Sequence, residues 1–439
     1  MKNSITIRLI TIGILILLLL IPVSMIKNLI REREYRLQDA VKEVSSKWGN
    51  SQTITGLILT VPYLSYTKMY EDDGEKYKLV KSTEYAHFLP EHLSIEGEVL
   101  PEIRYRGIYE VILYSAQLSL TGSFTAPNFE AWKIEEENIM WDNAFVSLGM
   151  SDLRGIQENI SLQWNEQHYQ FNPGLETNEV INKGMTASVP VQDIDSTTGE
   201  WKFALSLDFN GSSSLNFIPV GKSTHVAINS PWETPSFDGS FLPDNREISK
   251  DGFTANWEIL HLNRPYPQSF RGSNRAIQNS DFGVSLLIPV DEYQKSMRSA
   301  KYASMFITLT FLIFFFVQIL SHVRIHPIQY IMVGLALCVF YTLLIAFSEH
   351  ISFKFSYLIS SVATITMITA FAHSISKNKL ITKVIGLILT LLYLFIYSII
   401  QMQDFALLMG SIGLFLVLAV VMYLSRKINW YALQEQKDQ

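Results

Sequence analysis

The sequence predicts a multi-pass α-helical membrane protein whose large, mainly antiparallel β domain is inserted between the first and second of six transmembrane helices. The chain of 439 residues contains 48% hydrophobic residues and has a mean hydropathy of +0.17. One long apolar run lies near its start and five lie near its end, whereas the region between them is polar. That polar region alternates apolar and polar side chains with the period of two that is typical of strands.

The first apolar run covers residues 9–26 (LITIGILILLLLIPVSMI) and follows a short segment that carries Lys2 and Arg8. The run is longer than the apolar core of a secretory signal, and no small-residue cleavage pattern follows it. We therefore predict a retained transmembrane anchor over residues 1–28.

Residues 29–300 are predicted to form a periplasmic β-rich domain. An amphipathic stalk helix opens it, because apolar side chains recur there at helical spacing: Leu37, Val41, Val44 and Trp48. Residues 203–209 then alternate as a strand does, and a turn is expected at Asn210-Gly211. The domain is either a single β structure or a pair of β-sandwich subdomains divided near residues 172–198, where the chain is rich in loop-forming residues.

The five apolar runs after the β domain each have about the length of a membrane-spanning helix. They cover residues 302–320, 331–347, 355–371, 384–400 and 405–424. We therefore predict a five-helix transmembrane bundle over residues 301–426 and a cytoplasmic tail over residues 427–439.

Basic residues in short loops predict the orientation, because such loops usually lie on the cytoplasmic side. The loops on one side of the bundle contain Arg324, Lys377, Lys379, Lys383, Arg426 and Lys427. Both termini are therefore predicted to be cytoplasmic and the β domain periplasmic. The basic residues beside the first two helices favour the opposite orientation: Lys27, Arg31, Arg33, Arg36, Lys295, Arg298 and Lys301.

Charge and cysteine content exclude two classes of site. The formal net charge is -6 and the sequence has no block of basic residues that would neutralise phosphates, so nucleic acid is not expected as a partner. The only cysteine, Cys338, lies in an apolar run. The polar region therefore has neither a disulfide nor a cysteine metal cluster.

Glu349 and His350, which follow the third apolar run, are the first candidate functional residues. A carboxylate beside an imidazole could act as a general base or a proton carrier. However, the membrane part has no HExxH or GxSxG motif, and adjacent residues point to different faces of a helix. We therefore expect capping, anchoring at the interface or contact with the β domain.

His326 and Arg324 are the candidates on the opposite side of the bundle. His322 and His326 have a spacing that could bind a metal on a helix, but Pro327 disfavours helical backbone at His326. A short positive loop that sets orientation is the preferred interpretation. The sequence assigns no catalytic residue, no cofactor and no metal ligand.

Two Arg-Gly motifs occur in the polar region, RYRGIYE (residues 104–110) and DLRGIQE (residues 152–158). Two interpretations stay open for them. They could hold a pair of ligand-binding arginines, or they could be turns and strand edges with exposed arginine.

Several segments resemble one known family. They are KYASMFITLTFLIFFF, RIHPIQYIMVGLAL, VFYTLLIAFSEHISF and INWYAL in the helical region, with SFLPDNREIS and LIPVSMIKNLIRERE before it. Together they resemble the CreD (Cet) family of bacterial inner-membrane proteins, which is associated with cell-envelope integrity and colicin tolerance. The resemblance implies a multi-pass protein of the bacterial inner membrane that belongs to a response to envelope or β-lactam stress, and it implies no catalytic residues.

Two functions are consistent with these observations. The leading one is a non-enzymatic protein that supports envelope integrity, with membrane lipids around it and a periplasmic β domain that binds an unknown envelope component. The alternative is a membrane-embedded enzyme or transporter that uses Glu349 and His350.

Overall fold

The computed structural model describes residues 5–70, 77–191, 199–273, 277–287, 292–321, 323, 325–402 and 405–426. The chain divides into two compact units. The helical unit comprises Met1–Gln38 and Val290–Gln439, and the β unit comprises Asp39–Pro289. The predicted tail over residues 427–439 lies outside the described residues.

Seven α-helices occur in the described part of the chain. They are α1 (Ile5–Trp48), α2 (Glu292–Lys301), α3 (Ala303–Leu320), α4 (Pro327–Ser348), α5 (Phe353–Ser376), α6 (Lys379–Gln401) and α7 (Ala406–Ser425). Of the described helices, α1 and α3 to α6 are long and apolar enough to cross a membrane, whereas the apolar part of α7 is the shorter Leu407–Tyr423. The described residues thus give five spans by this criterion, and the sixth stays a prediction that depends on α7.

Helix α1 unites the predicted anchor and the predicted stalk. No glycine or proline interrupts it between Pro22 and Gly49, so the backbone hydrogen bonding continues beyond the apolar run. The boundary between the units falls after Gln38 in α1, not at residue 28. At the C-terminal end of the β unit, α2 begins before the predicted boundary at residue 300 but belongs to the helical unit.

Small and polar residues determine how the described membrane helices pack. A Cβ atom at Gly334 of α4 would lie 2.1 Å from Cδ1 of Leu19, so the missing side chain allows α1 to approach closely. The Tyr330 hydroxyl of α4 donates a 3.0 Å hydrogen bond to Gln318 of α3. The Tyr357 hydroxyl of α5 likewise donates to the Tyr393 carbonyl of α6 at 2.8 Å.

The β unit contains seventeen strands in the described residues. They are β1 (Gln52–Tyr70), β2 (Tyr77–Phe88), β3 (His92–Arg106), β4 (Tyr109–Thr125), β5 (Phe145–Met150), β6 (Ser161–Trp164), β7 (Gln167–Gln170), β8 (Asn172–Pro173), β9 (Gly184–Ser188), β10 (Glu200–Ser212), β11 (Ser214–Ile218), β12 (Ser223–Ser230), β13 (Pro235–Gly239), β14 (Asn245–Ser249), β15 (Gly252–Leu260), β16 (Ser269–Arg271) and β17 (Phe282–Leu286).

These strands form two sheets around one hydrophobic core. Sheet I has the order β13-β17-β11-β1-β5-β9-β8, and β2 pairs with both β1 and β16. Sheet II has the order β14-β15-β12-β3-β4-β10-β6-β7. The pairs β1–β11 and β12–β3 are parallel, and the other described pairs are antiparallel, as the sequence predicts. The core includes Trp201 and Trp257, which are almost completely buried.

The segment near residues 172–198 does not separate two sandwiches. Strand β10, which follows it, pairs with β4 and β6 from before it, and β11 pairs with β1. Both sheets therefore combine strands from the two halves, and their buried side chains share one cluster. Residues 192–198 of this segment lie outside the described residues.

The predicted turn at Asn210-Gly211 is wrong. Strand β10 shows the predicted alternation, with every second side chain buried from Trp201 to Phe209, but it continues to Ser212. The residue with positive φ is Ser213, at 63°. Gly211 serves a different purpose, because a Cβ atom there would lie 2.3 Å from the Tyr114 ring.

A bulky side chain at Gly334 is expected to weaken the packing of α1 on α4. We expect Gly334→Ile to destabilise the helical unit by about 1–3 kcal/mol, since Leu19 can move away from a lone Cβ but not from a branched side chain. The measurement is the rate at which a maleimide labels Cys338, which is buried in α4. Gly410→Ala is the control, because no atom lies within 4 Å of a Cβ there. Equal labelling rates for both variants would contradict the expected packing.

Candidate functional site

Glu349 is the C-cap of α4, and its side chain contacts α1 instead of its neighbour His350. Its carboxylate Oε1 lies 3.5 Å from Nε of Arg33, and the Glu349 side chain is 10% exposed. The His350 side chain is exposed and has no hydrogen bond among the described residues. The structure therefore does not bring the two together as an acid–imidazole pair, and it assigns Glu349 to an ion pair between two helices of the helical unit.

Arg33 was not among the sequence candidates, although it lies in the charged segment that follows the apolar run of α1. It belongs to the basic residues that disagree with the predicted orientation. Arg33 thus has a structural partner in Glu349. The Glu349 carboxylate needs this cation, because an unpaired carboxylate that is nine-tenths buried beside lipid is costly. The available signal was that an acid follows one apolar run and a base follows another.

His326 caps the start of α4. Its Nδ1 accepts a 3.3 Å hydrogen bond from the Ile328 N–H, and Gln329 accepts a 2.8 Å hydrogen bond from the His326 N–H. Pro327 occupies the first helical position, where its missing N–H costs nothing. These contacts give His326 a structural role. Arg324 lies outside the described residues.

The two Arg-Gly motifs of the β unit both reach residues 39–48 at the end of α1. Arg106 donates two hydrogen bonds of 3.1 Å to the Glu43 carboxylate. The Arg104 guanidinium lies 4.1 Å from the centre of the Trp48 ring. From the second motif, Arg154 donates a 2.6 Å hydrogen bond to the Ser46 carbonyl. These contacts satisfy the arginines without a ligand and attach the end of the helix to the sheets.

Asp152 organises the second motif. Its carboxylate accepts hydrogen bonds from both the backbone and the side chain of Asn50, at 3.1 and 2.9 Å, and it pairs with Arg154 at 2.8 Å. The Arg154 side chain is the largest cause that lowers the pKa of Asp152 from 3.8 to about 2. The loop after α1 is thus held by an ionised carboxylate.

A buried hydroxyl–imidazole–carboxylate chain lies at one edge of the core. Thr60 Oγ1 lies 3.0 Å from His87 Nδ1, and His87 Nε2 lies 2.9 Å from Glu179 Oε2. The adjoining cavity has about 10 Å³, room for about one water molecule and not for a substrate. Burial lowers the pKa of His87, although Glu179 acts in the opposite direction. The group is suited to holding the loop of Glu179 and not to covalent catalysis.

The β unit has a groove of about 760 Å³ on the outer face of sheet II. Its floor consists of side chains in register across neighbouring strands: Asn229, Glu98, Gln117 and Asp208 in one row, and Glu96, Ser119 and Ser206 in the next. Glu158, Gln163 and His168 lie at its margin. The alternate residues of these strands form the buried core, so the period of two that builds the sheet also makes this face polar.

Four carboxylates among the polar side chains of the groove make it rich in hydrogen-bond acceptors: Glu96, Glu98, Glu158 and Asp208. Gln117 Nε2 donates a 3.2 Å hydrogen bond to Asp208 and Ser94 Oγ donates one of 3.3 Å to Glu96, which leaves Glu98 and the other oxygen of Glu96 in the floor for an incoming donor. No group of three histidine, cysteine or acidic side chains among the described residues is placed to hold a metal ion. The groove is therefore suited to ligands that carry amino or hydroxyl groups.

Acid is expected to remove the contribution of Asp152 to stability. The lowered pKa means that this contribution is fully present above the unfolded pKa, near 3.8, and is lost as the pH falls through about 2. We expect Asp152→Asn to lower the free energy of unfolding of the β unit by about 1–2 kcal/mol at pH 7, discounted because Arg154 is largely exposed. The difference from wild type should shrink below pH 4.

Thermal unfolding followed by tryptophan fluorescence measures this effect, because every tryptophan except Trp430 lies in the β unit. Asp251→Asn, at an exposed position, is the control. A difference between Asp152→Asn and wild type that stays constant between pH 7 and pH 3 would show that the charge is not responsible.

Removal of Arg33 alone is expected to destabilise the helical unit more than removal of both members of the ion pair. Arg33→Gln leaves the buried Glu349 carboxylate without its cation, so we expect a loss of about 1 kcal/mol, with partial recovery in Arg33→Gln/Glu349→Gln. Labelling of Cys338 again reports on the packing of α4. The control is Arg36→Gln, whose partner Glu32 is as exposed as Arg36 itself. If Arg33→Gln and Glu349→Gln had strictly additive effects on stability, the two side chains would not be coupled as an ion pair.

Comparisons with known proteins agree with the helical architecture. The family model described as "Inner membrane protein CreD" matches residues 4–431. Inner membrane protein CreD of Escherichia coli (strain K12) is 31% identical over 423 residues, which covers 95% of this chain and 92% of that protein.

Solved structures show a weaker similarity. A variant of an M1 zinc metallopeptidase from Deinococcus radiodurans with a bound Tyr-Ser-Ala substrate has 10% identity, covers 39% of each chain and gives a TM-score of 0.18. The M1 zinc metallopeptidase of the same organism has 8% identity over 39% of this chain and 38% of that chain, with a TM-score of 0.17. Scores this low support no conclusion about fold or activity. The family match extends over nearly the whole chain, and this chain therefore belongs to the CreD family and is a protein of the bacterial inner membrane.

Proposed function

We propose that this protein supports the integrity of the cell envelope without catalysing a reaction, by binding an envelope component on its β unit. In this proposal α7 is the sixth membrane span, both termini are cytoplasmic and the β unit is periplasmic. The role extends to tolerance of envelope stress of the β-lactam or colicin type. Membership of the CreD family supports the location, and the proposal adds the activity of the β unit.

The observation that carries the proposal is the groove on sheet II. A floor of aligned polar side chains on a sheet is a rigid surface, because each strand is held by its neighbours and by the core beneath it. An opening of about 760 Å³ accommodates a sugar or a short peptide. Binding sites are usually concave surfaces of this size with a few convergent polar groups.

The acceptor groups of the groove specify the class of ligand. Glu96, Glu98 and Asp208 would accept hydrogen bonds from amino and hydroxyl groups. Cell-wall glycans and their peptides carry both groups, and so do many envelope proteins. The β unit would thus hold such a component near the membrane in which α1 is inserted.

The alternative, a membrane-embedded enzyme or transporter at Glu349 and His350, has less support. The ion pair with Arg33 explains why Glu349 can be buried, and the His350 side chain is exposed. An exposed imidazole separated from the only nearby carboxylate described has no built-in proton acceptor.

A photoreactive residue in the groove is expected to capture the envelope component. Ser119 and Ser206 face each other across β4 and β10 and are exposed, so a photoreactive amino acid at either position should give a specific crosslinked product in living cells. Adding Glu96→Gln/Glu98→Gln/Asp208→Asn should reduce this product at least about fivefold and lower tolerance of envelope stress at equal protein level, because neutral side chains bind donors more weakly.

Two matched variants complete the experiment. Glu130→Gln/Glu135→Gln/Glu137→Gln removes the same number of exposed charges outside the groove and should leave the product unchanged. His350→Ala should leave tolerance unchanged. Loss of tolerance in His350→Ala with normal crosslinking would overturn the proposal in favour of the membrane-embedded site.

A further inference from the structure

Two of the basic residues that disagree with the predicted orientation, Arg33 and Lys295, lie at one end of the helical unit. The ion pair of Arg33 with Glu349 places this part of α1 beside the turn between α4 and α5. Nζ of Lys295 in α2 lies 6.0 Å from the centre of the Phe353 ring, at the start of α5. Lys354, the next residue, is exposed. Three separate segments of the sequence therefore bring cations to one turn.

Helix α2 is suited to the surface of a membrane. Tyr293, Ser296, Ser299 and Ala300 are buried on one side, whereas Lys301 is exposed and Lys295 and Arg298 are partly exposed. Short amphipathic helices with basic residues on the open face lie in the interface and attract anionic lipids. No ion pair of Lys295, Arg298 or Lys354 occurs among the described residues.

The start of α5 adds backbone hydrogen-bond donors to this positively charged end of the helical unit. Ser352 is the N-cap, but its side chain makes no capping hydrogen bond. The first N–H groups of a helix lack partners within it, and the helix dipole makes that end positive. The only described carboxylate at the turn is Glu349, which Arg33 compensates.

An apolar stripe continues from this end along α5. Phe355, Leu358 and Val362 are each more than half exposed and follow Lys354 at helical spacing. A cation followed by an exposed apolar stripe fits a molecule with a phosphate head and a hydrocarbon tail. A soluble phosphate would use the cations and leave the stripe without a role.

We propose that the turn between α4 and α5, together with Lys295 and Lys354, binds the phosphate of an anionic membrane lipid whose acyl chain lies along α5. Lys295 and Lys354 are the primary cations, and Arg298 contributes to the surrounding positive field. This binding gives Lys295 and Arg298, two of the contrary charges, a function. It is independent of the ligand of the β unit, and either proposal can fail alone.

Native mass spectrometry of the full chain in neutral detergent tests the site. The probes are phosphatidylglycerol, phosphatidylcholine and inorganic phosphate. We expect phosphatidylglycerol to bind at least about tenfold more tightly than phosphatidylcholine. Lys295→Gln/Lys354→Gln should weaken phosphatidylglycerol binding roughly thirtyfold, whereas Lys295→Arg/Lys354→Arg retains it.

The matched control is Lys379→Gln/Lys383→Gln, which removes two lysines at the start of α6, near the opposite end of α5, and should change binding less than about threefold. Equal binding of the two lipids, or equal losses in the Gln variants at both ends, would overturn the proposal. Displacement of phosphatidylglycerol by equimolar inorganic phosphate would also overturn it, since the site would then select free phosphate. Retained binding in the Arg variant distinguishes lost charge from lost folding.

Discussion

The continuity of helix α1 is the constraint on which both units depend. A backbone in lipid must satisfy its own hydrogen bonds, and α1 stays helical from Ile5 to Trp48 although Pro22 lacks a backbone donor. Its last turns belong to the β unit, where arginines at the end of β3 and after β5 bind them. The next element, β1, pairs with β2, β5 and β11. The end of one helix therefore precedes, by only a few residues, the strand that organises sheet I.

Two contacts in the helical unit also pair polar or charged side chains with each other. Gln318 and Tyr330 form a hydrogen bond between α3 and α4, and Arg33 neutralises Glu349 between α1 and α4. Such pairs are more specific than apolar contacts, because an unpaired member would be costly in or beside lipid. They explain why isolated polar residues in apolar sequence need not form a reaction centre.

The two proposed binding sites have opposite electrostatic character. The groove of sheet II offers carboxylates to amino and hydroxyl groups, whereas the turn between α4 and α5 offers cations to phosphate. Each arises from regular structure. The period of two puts the polar side chains of β3, β4 and β10 on one face, and the end of a membrane span puts lysine where apolar surface meets headgroups.

Much of the architecture could be predicted because it depends on local pattern. The apolar runs determined the membrane helices, and the alternation of residues 203–209 determined a strand with one buried face. Only the tertiary structure determines which residues and strands contact one another. Arg33 and Glu349 are far apart in the sequence, Gly211 is a glycine because Tyr114 packs against it, and the groove exists only when β3, β4 and β10 align in register. Periodicity reports which face of an element is buried, whereas the contacts across that face depend on chain folding over long separations, which a single sequence does not encode locally.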